Sequence, residues 1–138
     1  MIAYLDASVL LRIVLRQPRP LAEFADIDLA VVSDLVEVEC LRTIDALRLR
    51  GELSDDEVAS ARAGSLERLA NAEVVHVSPS ILRRAGQSMP TQLRTLDAIH
   101  LSSAVAWQLA SGGRLTMATH DAELGVAAKA HGLPVVGL

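Results

Sequence analysis

The stretch that decides the fold is Ile2-Ala3-Tyr4-Leu5-Asp6-Ala7-Ser8, at the start of the chain. Four apolar or aromatic residues in a row, ended by an acid, read as a short strand buried on both faces, as strands of parallel sheets are. The next run, Ala7 to Arg16, is apolar almost throughout and then meets Pro18 and Pro20. That pattern predicts a short helix stopped by proline, with a second short helix from about Pro20 to Ala25.

Working outward, the same alternation repeats along the chain. Leu29 to Val32 reads as a second strand. Asp34 to Arg50 carries Leu35, Val38, Leu41, Ile44 and Leu47 at steps of three and meets Gly51, which predicts a helix with a glycine stop. Ser54-Asp55-Asp56-Glu57 is a capping box: the Ser54 hydroxyl can bond the amide three residues on, and Glu57 can reach back. A charged helix then runs to about Ala70. Glu73 to Val77 reads as a third strand, and Ser78-Pro79 starts a helix that ends before Pro90. Thr95 is expected to cap a long helix to about Ala110, stopped by Gly112-Gly113. Leu115 to Ala118 is the fourth strand, Asp121 to His131 a helix ended by Gly132, and Pro134 to Val136 a last short strand. Strands alternating with helices imply a mostly parallel sheet of four to five strands with helices on both faces, an α/β sandwich. No repeat or linker divides the chain, so one domain over residues 1–138 is expected.

Composition bounds the function. Half of the 138 residues are apolar, enough for a sizeable core. Tyr4, Phe24 and Trp107 are the whole aromatic set, so rows of stacked rings do not hold a nucleic acid here. A net charge of −4 disfavours a protein that coats DNA, yet suits one whose carboxylate cluster is offset by a cation. Cys40, the lone cysteine, excludes an internal disulfide and reads as a core residue in a reducing compartment. Met1 to Arg16 lacks the signature of a signal peptide, and no apolar run reaches eighteen residues; the expectation is a cytoplasmic protein that makes no use of a membrane.

Ligands of open α/β sheets bind beyond the carboxyl ends of the strands. Asp6 ends the first predicted strand and Asp121 lies just past the fourth, so both fall on that edge. Asp97 sits in Leu96-Asp97-Ala98-Ile99-His100-Leu101, where apolar neighbours imply partial burial, and a buried carboxylate needs a partner or a metal. Glu37 and Glu39 flank Val38 on opposite sides of the helical stripe, and periodicity does not choose between them. Each acid also has a plain structural reading: helix caps for Asp6 and Asp121, the helix dipole for Asp97, solvation for the glutamates. Hard oxygen donors without cysteine suit Mg2+ or Mn2+, ions that bridge phosphate oxygens and lower the pKa of a bound water.

In this order, these residues resemble the PIN-domain nucleases, and in particular the VapC-type toxins of toxin–antitoxin pairs, over essentially the whole chain. Tyr4-Leu5-Asp6-Ala7-Ser8 resembles the first family motif. Glu39-Cys40-Leu41-Arg42 resembles the second, which favours Glu39 over Glu37. Leu93 to Leu101 is similar to the most recognisable segment. Leu115 to Asp121, followed by Leu124, Ala127, Ala128 and His131-Gly132-Leu133, resembles the closing motif. The resemblance implies a three-layer PIN-like sandwich and an Mg2+- or Mn2+-dependent endoribonuclease. Asp6, Glu39, Asp97 and Asp121 would hold the ion, directly or through water, and an activated water would attack the phosphodiester. Ser8 and Thr119 would orient carboxylates or water. Arg12, Arg42 and Arg94 become candidates for phosphate contacts. The resemblance also implies a homodimer and a cognate antitoxin, for which the apolar stretch 9–24 (Val9, Leu10, Leu11, Ile13, Val14, Leu15, Leu21, Phe24) offers a groove. Two other readings stay open: a catalytically degenerate PIN domain that only binds a partner, and a metal-independent ribonuclease using His76, His100, His120 or His131, none of which forms an evident pair.

Overall fold

A computed structural model describes residues 1–138. The elements are β1 (Ile2–Leu5), α1 (Ala7–Val14), a 3-10 turn (Ala22–Asp26), β2 (Leu29–Ser33), α2 (Asp34–Leu49), α3 (Asp55–Ala70), β3 (Glu73–Val75), α4 (Pro79–Ala85), α5 (Thr95–Ser111), β4 (Thr116–Ala118), α6 (Ala122–Ala130) and β5 (Val135–Val136). The strands form one sheet in the order β3-β2-β1-β4-β5. Every pairing is parallel, with Ala3 opposite both Ala30 and Thr116.

Pleating sends alternate side chains of β1 to opposite faces. Ala3 and Leu5 meet Val9 and Leu10 of α1, Val36 and Cys40 of α2, and Leu69 of α3. Tyr4 goes the other way, into Leu101 and Ala104 of α5 and Leu124, Ala127 and Ala128 of α6. The sandwich therefore has three layers, as the sequence implied. α4 packs along α5. No helix is long and apolar enough to cross a membrane.

Three local expectations are corrected. The buried stripe of α2 is Val36, Cys40 and Ile44, at steps of four, while Val38 is 59% exposed. Val36 and Cys40 share a buried cluster with Ala3 and Leu5 of β1 and Val32 of β2, so the face at steps of four is the one that covers the sheet. Thr95 does not cap α5; Arg94 holds the cap position, without a side-chain bond. The second short helix is the 3-10 turn at Ala22–Asp26. The capping box at Ser54 is as read, with both reciprocal bonds present.

The chain starts at β1 and builds outward through β2 and β3. It then crosses back to β4 and β5 on the other side. The order thus reverses between β1 and β4, and their carboxyl ends flank the crevice where such sheets bind ligands.

Candidate functional site

Asp6 leaves the end of β1 and caps α1, with only 5% of its surface exposed. A buried carboxylate is costly unless its oxygens are satisfied, and here they are. Its Oδ1 accepts from the amides of Ser8 (3.0 Å) and Val9 (3.3 Å) and from the Ser8 hydroxyl (2.6 Å). Its Oδ2 accepts from the buried Thr119 hydroxyl at 2.6 Å. That hydroxyl in turn accepts from the Asp121 amide (2.9 Å), and Ser8 Oγ accepts from the His120 amide (3.0 Å). Two hydroxyls thus splice the end of β1 to the end of β4, the arrangement expected of groups that orient a carboxylate.

Asp121 caps α6: its Oδ1 accepts from the amides of Glu123 (2.8 Å) and Leu124 (3.0 Å). Asp97 is half-buried in the first turn of α5. Burial raises its pKa above the ordinary carboxylate value, and the charges of Asp121 and then Asp6 add to the effect, against the pull of His100 and Arg94. Three segments far apart in sequence therefore bring acids within electrostatic reach of one another at the crevice.

Glu39 is half-buried on α2, whereas Glu37 is exposed. The Glu39 carboxylate accepts from His100 Nε2 at 2.7 Å. His100 is 2% exposed, and its Nδ1 lies 2.9 Å from the Tyr4 hydroxyl and 3.4 Å from Ser33 Oγ. An ionised carboxylate only accepts, so Nε2 carries a proton; in the neutral form of the ring Nδ1 is the acceptor for the Tyr4 hydroxyl. Burial pushes the Tyr4 phenol well above its ordinary range, which keeps that donor protonated. Burial likewise pushes the Cys40 thiol up to about 12, so it is an inert core residue.

As placed, no three His, Cys, Asp or Glu side chains stand close enough to enclose a metal ion. Glu39 is drawn toward His100, and Asp6 Oδ1 is taken up by one hydroxyl and two amides, whereas its Oδ2 accepts only the Thr119 hydroxyl. The donor chemistry nonetheless suits a hard cation, and Mg2+ commonly keeps several waters and takes only one or two carboxylates directly. Of the candidate arginines, Arg94 lies at the start of α5 beside Asp97. Arg12 is half-buried on α1, its Nη1 donating to the Arg19 carbonyl (3.3 Å). Arg42 is bonded to Asp45 at 3.1 Å, further along α2. In sequence His100, a polar ring three residues after Asp97 in apolar surroundings, reads as packing or as support for the site; its partners Glu39 and Tyr4 come from the structure.

Comparison with known proteins bears on the family and the fold. Residues 3–136 match the family model described as the PIN domain. Ribonuclease VapC46 of Mycobacterium tuberculosis (strain ATCC 25618 / H37Rv) is 32% identical over 136 residues, covering 96% of this chain and 95% of that protein. Among solved structures, FitAB bound to an IR36 DNA fragment superposes with a TM-score of 0.71 at 12% identity, covering 97% of this chain and 93% of that one. PAE2754 from Pyrobaculum aerophilum gives 0.63 at 21% identity, covering 98% and 83%. The two structures speak for the fold, and the family model together with the sequence relative speaks for descent: the chain belongs to the PIN-domain family.

Proposed function

We propose that this chain is a divalent-cation-dependent endoribonuclease, the toxin of a toxin–antitoxin pair, with residues 1–138 acting as one PIN domain. The observation that carries the proposal is that Thr119 ties Asp6, at the end of β1, to Asp121, just past β4, with Asp97 of α5 near enough for their charges to raise its pKa. Half-buried acids that repel one another call for a counter-charge, and hard oxygen donors call for Mg2+ or Mn2+. The relative named a ribonuclease, aligned over nearly the whole of both chains, supports RNA as the substrate.

Asp6, Glu39, Asp97 and Asp121 would hold the cation, directly or through water. When bound, it supplies Lewis-acid polarisation of a phosphate oxygen and acidifies a water for attack. The protein's part is placement. Ser8 and Thr119 hold Asp6 rigid against the end of β4. His100 fixes the Glu39 carboxylate from behind. Arg94 and Arg12 would meet phosphate, whereas Arg42 is bonded to Asp45. An antitoxin segment would seat in the apolar cavity of about 420 Å³ lined by Leu5, Leu10, Phe24, Ile27, Val32 and Leu69, which borders the stretch 9–24. A homodimer is part of the same proposal.

The test is cleavage of RNA by the purified chain with Mg2+ or Mn2+, with EDTA, and by Asp97→Asn. Cleavage in either ion, lost in EDTA and in the folded variant, is the expected result. Cleavage that persists in EDTA would overturn the metal reading, and a folded Asp97→Asn enzyme with normal activity would overturn the site. A folded wild type that cuts no RNA but binds a partner protein tightly would favour the binding-only PIN domain.

A further inference from the structure

Four polar side chains sit in the core between the sheet and α5: Tyr4 of β1, Ser33 of β2, and His100 and Ser103 of α5, none more than 2% exposed. Tyr4 is packed among Val31, Leu101, Leu115 and Met117, where a phenylalanine would fill the same space with no hydroxyl to satisfy. Polar groups buried in such surroundings are costly unless bonded, and a fully bonded set fixes a single arrangement. Ser33 adds a second cost. It stands at the cap position of α2, yet its side chain makes no cap bond. Its Oγ lies instead 3.4 Å from His100 Nδ1, and the Tyr4 hydroxyl lies 2.9 Å from the same nitrogen. The Tyr4 and His100 rings meet edge to face, with 69° between their planes. Hydroxyls from two neighbouring strands thus converge on one ring nitrogen.

The other nitrogen of the ring points outward. His100 Nε2 donates to Glu39 Oε2 at 2.7 Å, and the Glu39 side chain is 23% exposed. A neutral ring that donates from Nε2 offers Nδ1 as its acceptor, which the Tyr4 proton meets. Burial keeps that proton on the phenol. Each donor in the row then faces an acceptor, and the imidazole is held at both nitrogens. Turning the ring over would break both bonds. The row runs from the enclosed core to the crevice and ends on one carboxylate oxygen, so Oε1 is the atom left for a ligand. Carboxylates that bind cations are commonly held in this way from behind, and losing the support costs about 10–100-fold in affinity.

We propose that Tyr4 is a positioning residue of the cation site: through the two nitrogens of His100 it fixes the Glu39 carboxylate with Oε1 free to face the ion. Its hydroxyl touches neither ion nor substrate. The inference rests on the cation-site reading above and adds a core residue whose hydroxyl serves that site rather than the packing.

The experiment combines 15N NMR of the His100 ring in the cation-free protein with calorimetric titration of Mn2+ into wild type, Tyr4→Phe, Glu39→Ala and the double variant. In wild type, Nε2 should show the shift of a protonated nitrogen and Nδ1 that of a hydrogen-bonded acceptor. Tyr4→Phe should move Nδ1 toward a free acceptor and weaken Mn2+ about tenfold, equivalent to about 1.4 kcal/mol. In the Glu39→Ala background the same change should matter less than about twofold, because the row then ends on nothing. An unchanged or raised Mn2+ affinity in folded Tyr4→Phe, or an equal loss in both backgrounds, overturns the inference and leaves the cation site standing. A wild-type ring protonated at Nδ1 also overturns it, and that measurement decides the matter if Tyr4→Phe does not fold. A wild type that binds no Mn2+ and cleaves no RNA overturns the site itself.

Discussion

Asp97 is the residue whose chemistry is most sensitive to its surroundings. Its carboxyl is raised above its unfolded value by burial, by Asp121 and by Asp6. A carboxylate shifted upward binds its proton more tightly in the folded state, so its stabilising contribution exists below the unfolded pKa and disappears as pH rises through the folded one. At neutral pH its charge therefore opposes folding. Asp97→Asn should leave the cation-free protein at least as stable as wild type at pH 7, and calorimetry at pH 7 and pH 4 should show the advantage shrinking at the lower pH. His100 is the complementary case. His100→Ala removes a partner from Glu39 and from the buried Tyr4 hydroxyl, an expected loss of about 1–3 kcal/mol in chemical denaturation. His100→Gln, which can still donate to Glu39, should recover part of the cleavage rate and of the cation affinity. Equal loss in both variants would reduce His100 to packing.

At the scale of elements, two features separate stability from function. The capping box at Ser54 lies at the start of α3, remote from the acids, and Ser54→Ala should cost about 1 kcal/mol with cleavage unchanged per folded molecule. In α2, Ile44 is fully buried and Val38 is mostly exposed. Ile44→Ala should cost about 2–5 kcal/mol, whereas Val38→Ala should stay within about 0.5 kcal/mol, as urea midpoints would show. A loss at Val38→Ala as large as that at Ile44→Ala would restore the stripe at steps of three, to which both residues belong. Beyond β5, Gly137 has φ 96°, and a Cβ there would come within 2.7 Å of the Thr119 carbonyl. Thr119 also holds Asp6, so Gly137→Ala should lower both stability and cleavage, in contrast to Ser54→Ala.

For the whole molecule, the proposed binding of a cation by the acids at the β1–β4 crevice would make stability depend on that ion. A ligand that binds only the folded state stabilises it by about 2.7 kcal/mol at a hundredfold excess over its Kd. Thermal unfolding should therefore move upward with Mg2+ or Mn2+ and return with EDTA, and the shift should vanish in Asp97→Asn. An equal shift in that variant would place the binding elsewhere. The same crevice exists because the strand order reverses between β1 and β4 while every pairing stays parallel.

What the amino-acid order determined by itself was everything carried by short-range pattern. The apolar run at Ile2–Leu5, the capping box at Ser54 and the glycine stops at Gly51 and Gly112 each act through neighbouring residues, so strands, helices and the parallel α/β class were legible. So were Asp6 and Asp121, because a strand end is a local feature, and Asp97, because its apolar neighbours announce burial. The rotation of α2 was not legible, since steps of three and steps of four both occur in it and only the packed sheet selects Val36, Cys40 and Ile44. For the same reason Glu39 parted from Glu37 on residue evidence only when His100, sixty-one positions away, closed on it. The Thr119–Asp6 bond, between residues 113 positions apart, likewise depends on distances between segments. Those distances are set by the tertiary packing of the sheet and its two helical layers, and local pattern carries no record of them.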